Sequence, residues 1–440
     1  MNKVILLSVI ASSMIMAGGS IAPVESVVEA QAPIVKESMG TMSGQFRAFY
    51  IDRTYSGILV NNRNSLAVGG WIGYDTAEWN GLSAGAKFYT VEGISIHDGP
   101  LTSVKYDPSL YGDNFSDYGF IGEAYLNYKI GNTNLKVGRQ KLNTPLAGAD
   151  DARMLPNLFE AAVLSNSDIE DTTLILAHVT RETVGTFGNV YGAAGALSLQ
   201  SGYGLGYKEG TNGNFVDMGV VALGTGTDTD GVTAGAIIYK GIEGLNLQAW
   251  NYYVHDILNA LYLQADYKLS TVKLSAQYIN ESDVGDALAG PVDSSYWAVK
   301  AGTSFGDLSG YVAYSQTGDS DGAMNGGIIT PWGGIPAFTQ GMVTRHMFFA
   351  DTATTKVAAT YNLKELTGLN LKATGYYVSF DIGAANTYKP GVAWTAKEAG
   401  FDIKYQATKA LNLRFRGNFP TDFAPGVDWS EYRIIANYNF

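Results

Sequence analysis

Glu431-Tyr-Arg-Ile-Ile-Ala-Asn-Tyr-Asn-Phe440, the last ten residues, decide how the rest of the chain is read. Counting back from Phe440, one parity carries Tyr438, Ala436, Ile434 and Tyr432. The other carries Asn439, Asn437, Ile435, Arg433 and Glu431. Successive side chains of a strand point to opposite faces, so this is a strand with one apolar and one mostly polar face. A soluble sandwich can contain such a strand. Its position, closing the sequence on an aromatic residue without a solvated tail, favours the last strand of a closed barrel, which has no edge to protect. The first strand is then expected to pair with the last, with a meander between them.

Composition agrees with one large antiparallel β architecture. The chain has 53 Gly, 28 Tyr, 18 Phe and 7 Trp in 440 residues, and aromatic-rich sequence punctuated by glycine favours strands and turns. Charged residues make up only 16%, below the quarter or so usual in soluble domains. After the amino terminus no run of about 18 apolar residues occurs, which excludes helical spans. Moderate hydrophobicity everywhere suits a barrel whose strands show lipid only one face. A net charge of −12 argues against nucleic acid as a partner.

Met1-Asn-Lys3, the apolar run Val4 to Met16, and small residues through Ala22 read as a signal peptide over 1–22, with cleavage expected between 22 and 30. Residues 23–42 would form a short periplasmic segment and 43–440 the transmembrane barrel. The chain has no cysteine, which removes disulfides, thiolate chemistry and a lipidated amino-terminal Cys.

Alternating segments fall at 43–51, 65–75, 82–91, 119–130, 132–140, 159–166, 172–181, 231–240, 244–254, 258–269 and 271–280. They continue at 295–305, 307–316, 354–363, 369–380, 395–406, 411–418 and in the final strand. That makes eighteen strands of an all-β, up-and-down transmembrane barrel, with sixteen as the second choice. A further candidate, 216–224, would put the termini on opposite sides and is assigned to the outer loop 182–230, as a hairpin above the membrane. Short turns alternate with long loops, notably 182–230 and 317–353, as in outer-membrane barrels.

Arg or Lys on the lipid face at mid-membrane would cost about 2–4 kcal/mol, so the charged parity must face inward. Inward arginines then gather on neighbouring strands: Arg414 and Arg416 together, Arg433 on the last strand, Arg47 on the first. Arg53 and Arg63 flank the first outer loop. Such a column of fixed cations would guide anionic groups through a water-filled lumen. The plainer role is pairing with inward acids such as Glu398, Asp402 and Glu431. The segment from Val137 to Phe159 mixes apolar and charged residues with Pro145 and Pro156, and is expected to fold into the lumen as the third outer loop.

The run GRQ–x–L–x–x–P (Gly138 to Pro145), the later Asp150-Asp151-x-RMLP-x-x-F, FRAFYIDR (Phe46 to Arg53), LNLRFRGNF and the final EYRIIANYNF resemble the OprD family of substrate-specific outer-membrane porins. The resemblance spans Gln45 to Phe440, with its specific motifs at both ends and in the third outer loop. It implies eighteen strands, a constricting third loop and a basic ladder conducting small carboxylate-bearing solutes. The ladder would be Arg47, Arg53, Arg63, Arg414, Arg416 and Arg433, with Arg153, Asp150 and Asp151 at the constriction. Phe440 and Tyr438 resemble the assembly signal of bacterial outer-membrane barrels. Expected partners are outer-membrane lipid, the barrel-assembly machinery and small anionic or zwitterionic solutes, with a homotrimer as a candidate assembly.

Rival functions are a surface adhesin using the long loops and a barrel-embedded hydrolase. Neither shows a motif. His97, His178, His255 and His346 lack metal-ligand spacing, and a pairing such as Ser165 with His178 marks no nucleophile. Asp228-Thr-Asp230-Gly231 and Asp319-Ser-Asp321-Gly322 lack the distant Glu of a calcium loop. No cofactor, metal or enzymatic activity is expected.

Overall fold

The computed structural model describes residues 39–102, 104–188, 212–319, 326–386 and 388–440, so the expected signal peptide lies outside the described residues. Each alternating run forms a strand. The first seven are β1 (Gly40–Gly57), β2 (Asn61–Thr76), β3 (Leu82–Ile94), β4 (Tyr118–Ile130), β5 (Thr133–Gln140), β6 (Leu158–Asn166) and β7 (Thr172–Thr183). After the two-residue β8 (Val216–Asp217) come β9 (Val232–Ile242), β10 (Leu245–Val254), β11 (Leu258–Leu269), β12 (Val272–Asp283), β13 (Asp293–Phe305) and β14 (Leu308–Thr317). The last five are β15 (Thr352–Asn362), β16 (Leu371–Ile382), β17 (Trp394–Gln406), β18 (Leu411–Thr421) and β19 (Val427–Asn439). All belong to one antiparallel sheet of 19 strands. β8 only caps the upper end of β7, and β7 pairs directly with β9, which leaves eighteen strands in the wall. β1 begins at Gly40, three residues before the expected boundary.

The wall closes where the alternation of the last ten residues required. β1 pairs with β19 from Gln45↔Asn439 through Ala48↔Ala436 to Gly57↔Val427. Gly44 and Phe440 exchange both backbone bonds, at 2.9 and 3.0 Å. A Cβ at Gly44 would stand 2.4 Å from the Phe440 ring, so the terminal aromatic needs a glycine beneath it. The outward parity is exposed, as at Phe46 (52%), Ile434 (56%) and Phe440 (46%), while Arg47, Arg53, Glu431 and Arg433 are buried inside. No described helix is long and apolar enough to cross a membrane. The spans are strands.

Two expectations about the loops are corrected. The segment 216–224 is not a hairpin above the membrane. It is β8 followed by a six-residue helix, Met218–Leu223, capped by the Asp217 side chain and buried at Met218 and Val221. The β14–β15 connection is not an open surface loop either. From Ile328 to Ala350 it is buried inside the barrel, with Trp332, Ile335, Phe348 and Phe349 in the same apolar cluster as Trp250, Tyr262 and Val378 of the wall. That stretch carries only Arg345 and His346 as ionisable groups, so burying it takes few charges out of water. Burying each such ring contributes about 1.5–3 kcal/mol.

Candidate functional site

Closure brings together arginines that lie at opposite ends of the sequence. On β1, Arg53 donates to Glu431 of β19, 378 positions away, and sits 2.8 Å from Asp107 of the β3–β4 loop. On β18, Arg414 forms a two-pronged contact with Asp402 of β17, and Arg416 Nε reaches the same carboxylate at 3.3 Å. Arg433 donates to Glu431. Asp402 and Glu431 are thus the pairing acids read from the sequence. Glu398 is not one of them: its carboxylate accepts from the consecutive backbone N–H groups of Met342, Val343 and Thr344 and from Tyr376.

Arg53, Arg416 and Arg433 are each 5% exposed or less, so their pairs lie away from bulk water. Removing one partner of such a pair costs about 3–5 kcal/mol, because the other charge is left uncompensated. Arg63 stands directly opposite Arg53 in the β1–β2 register, and its Nε has no hydrogen-bond partner among the described residues.

The third outer loop crosses the lumen from this arginine wall to the far side. At its near end, Asp151 accepts from Arg47 at 2.6 Å and from Lys141 at 3.4 Å, and Arg47 also donates to the carbonyls of Arg153 and Met154. Burial alone would raise the Asp151 carboxyl, but the Arg47 and Lys141 charges outweigh it and hold Asp151 well below the usual carboxylate range. Arg153 donates to Ser109 at 3.0 Å and lies 3.9 Å from Glu431. Asp150, pushed up by burial, pairs at 2.9 Å with Arg345 of the β14–β15 loop. The Phe187 ring lies under both guanidiniums, at 5.0 Å from Arg153 and 4.5 Å from Arg345. At the far end Ala147 bridges to Gly333, Gly148 donates to Trp332 and Leu146 to the Tyr252 hydroxyl.

The β14–β15 loop is held by neutral and charged wall side chains alike. Gln277 donates to Pro336 at 2.7 Å, Ser294 to Gly327 at 2.7 Å, and Lys356 to Gln340; Ile329 donates to Glu281 at 2.8 Å. Two docked loops therefore divide the lumen. The arginine wall of β1, β18 and β19 continues through Asp402 and Lys404 of β17 and Lys372 of β16, while the apolar inward residues of β10–β17 pack against the β14–β15 loop.

Sequence reasoning missed three parts of this site. Arg345 is a loop residue whose role exists only once its loop folds inward. Lys372 and Lys404 are direct partners across β16–β17, and Lys404 is opposite Arg414 across β17–β18. The parity that found the arginines would have found both lysines. Like charges placed directly opposite destabilise a sheet, and Asp402, 3.8 Å from Lys404, offsets only part of this row.

The histidines serve local structure. His97 contacts Asn64 at 2.6 Å and His346 contacts the Phe423 carbonyl at 2.7 Å. His178 Nδ1 pairs with Thr233, not with Ser165, and His255 meets the same hydroxyl. Among the described residues no three His, Cys, Asp or Glu side chains form a group able to hold a metal ion, and Asp321-Gly322 lie outside them.

A sequence model described as outer membrane porin, OprD family, matches residues 99–440. No curated protein matches the chain. Among solved structures it is similar to Pseudomonas aeruginosa OpdK with vanillate, at 16% identity and a TM-score of 0.71, over 91% of this chain and 98% of that one. It is also similar to Pseudomonas aeruginosa OccK9 (OpdG), at 18% identity and a TM-score of 0.72, over 92% and 98%. OccK8 (OprE) of the same organism gives 14% identity and a TM-score of 0.68, over 91% and 98%. The family match over most of the length, on a closed barrel with inward loops, shows that the chain belongs to the OprD family of outer membrane porins and resides in the bacterial outer membrane.

Proposed function

We propose that the barrel conducts small carboxylate-bearing solutes, such as amino acids, organic acids or small peptides, by passive diffusion along its arginine wall. The ladder is Arg47, Arg53, Arg63, Arg414, Arg416 and Arg433, and Asp150, Asp151 and Arg153 set the constriction. The observation that carries the reading is an excess of cations on one lumenal wall. Among the described residues these arginines stand with Arg153, Lys404 and Lys372, and the ion pairs found along the wall are to four acids, Asp107, Asp151, Asp402 and Glu431. A low-dielectric wall confines the field of that excess to the lumen and concentrates anions there. A unit charge at about 4 Å is worth about 4 kcal/mol at an effective dielectric of 20, before salt screens it.

The roles within the ladder differ. Arg47 is spent on Asp151 and two loop carbonyls, so it positions the constriction. Lys372 is exposed, and Arg414 and Lys404 keep 13% and 25% of their side chains exposed, so these three are the cations best placed to meet a solute. The vanillate of the OpdK structure is itself a carboxylate, which supports the same solute class here. Planar-bilayer reversal potentials, with liposome swelling in carboxylate solutes and in neutral sugars of equal size, test the proposal. Anion preference at low salt and faster carboxylate entry are expected; equal rates would refute it.

A further inference from the structure

We propose that the outward-facing row Arg139–Glu160–Arg181 binds a phosphate group on a lipid headgroup of the outer leaflet. Arg139 belongs to the GRQ stretch, yet it points away from the lumen. Its neighbour Gln140 is buried inside, whereas Val137 (46% exposed) and Leu135 (39%) share its outward face. Register places Arg139 directly across from Glu160 on β6, and Glu160 across from Arg181 on β7. On β5 and β6 the outward residues nearer mid-membrane are apolar, Val137, Ala162 and Leu164, whereas on β7 Thr180 and His178, the latter bonded to Thr233, come between Arg181 and Leu176. The row is therefore the first level of permanent charge above the apolar outward residues of β5 and β6, where the charges that lipid offers are headgroup phosphates.

Glu160 holds both guanidiniums, with Arg139 Nε at 2.9 Å and Arg181 Nη1 at 3.8 Å. Arg139 is fixed further by a bond from Nη1 to the Ile121 carbonyl at 3.2 Å and by the Phe215 ring at 4.2 Å. Arg181 keeps 58% of its side chain exposed and Arg139 39%. Two cations against one acid leave a net positive charge on a chain whose formal total is −12. A planar fork presents paired N–H groups that match phosphate oxygens, so each arginine can offer its remaining donors while Glu160 sets their spacing. One strand lies between them, which separates the two forks by about 10 Å at the Cα level and leaves long side chains able to converge on one anion.

The test uses the full chain in detergent and follows thermal protection by a phosphorylated outer-leaflet lipid, by the same lipid dephosphorylated, and by inorganic phosphate. Protection by the phosphorylated lipid alone at micromolar concentration is expected. The double substitution Arg139→Gln with Arg181→Gln should raise its half-saturating concentration tenfold or more. Glu160→Gln keeps both arginines and removes the competing carboxylate, so it should lower that concentration severalfold; it also decides the matter if the double variant fails to fold. Equal protection by the dephosphorylated lipid would reduce the effect to acyl-chain contact. Equal protection by inorganic phosphate would make the row a free-anion site. Either result, or unchanged affinity in Glu160→Gln, overturns the proposal.

Discussion

The two sides of the lumen are built from different physics. The β1, β18 and β19 wall is a lattice of buried ion pairs around Glu431, Asp402 and Asp151, while the β10–β17 wall is packed by aromatic and aliphatic side chains of the β14–β15 loop. Each solution meets a different need. An ionic wall, though its pairs are buried, can present the field of its excess cations to a passing solute. A packed wall excludes water, and its charged members, Glu281, Lys356 and Glu398, are taken up in holding the loop. The third outer loop joins them, tied to one side by Arg47–Asp151 and to the other by Asp150–Arg345.

The strongest way to break this division is to remove the packed half. Replacing 326–350 by a short Gly/Ser linker should raise single-channel conductance severalfold while leaving anion preference in place. A conductance unchanged in planar bilayers would mean that the loop does not limit the passage. The complementary change attacks the ionic half. Arg414→Glu with Arg416→Glu should turn the pore towards cations at low salt, and the shift should fade as ionic strength rises, because screening shortens the reach of wall charges. Conductance of the open state should change far less than selectivity. Unaltered reversal potentials would make these arginines wall structure only.

Smaller effects sharpen the comparison at the joint. Arg47→Ala leaves Asp151 only the longer contact to Lys141 and removes the donors to the Arg153 and Met154 carbonyls, so it should loosen the third outer loop by about 2 kcal/mol. Hydrogen exchange at 146–155 reads this directly, and Arg47→Lys should recover part of the protection but not the forked contact. The packed side offers a pH test. Burial among aromatic rings lowers the His346 imidazole to about 3, against an ordinary value of 6.5. A released loop would protonate near 6.5 while the docked one stays neutral, so docking is at full strength above 6.5 and weakens as pH falls towards 3. At pH 5 the loss is about 2 kcal/mol, or roughly thirtyfold faster exchange over 326–350 through released states. His346→Gln keeps an N–H donor and should abolish that slope; an unchanged slope would assign it to other groups.

Phe440 shows how far local pattern reaches. Its parity set the facing of β19, and closure then followed, because a barrel has no other place for the first strand. The lumenal arginines were legible for the same reason: period two is a property of neighbouring residues, and charge cannot face lipid cheaply. The inward fold of the β14–β15 loop was less so. Its run from Ile328 to Phe338 is free of charge, which is a signal, but apolar loop sequence reads equally as an exposed binding tip until something is seen to cover it.

Alternation along single strands therefore determined the wall, the closing pair and which side chains face water, while the requirement that both termini lie on one side brought the count to eighteen. Tertiary structure alone decided what those side chains do. Glu398 proved to cradle three loop N–H groups, where the sequence made it a partner for arginine; Arg47 proved to hold a loop; Arg345 gained a role through Asp150. The physical reason is range. Facing depends on the next residue along the chain, whereas the partner of a buried charge depends on which loop enters the lumen, and that is settled by packing across the whole barrel.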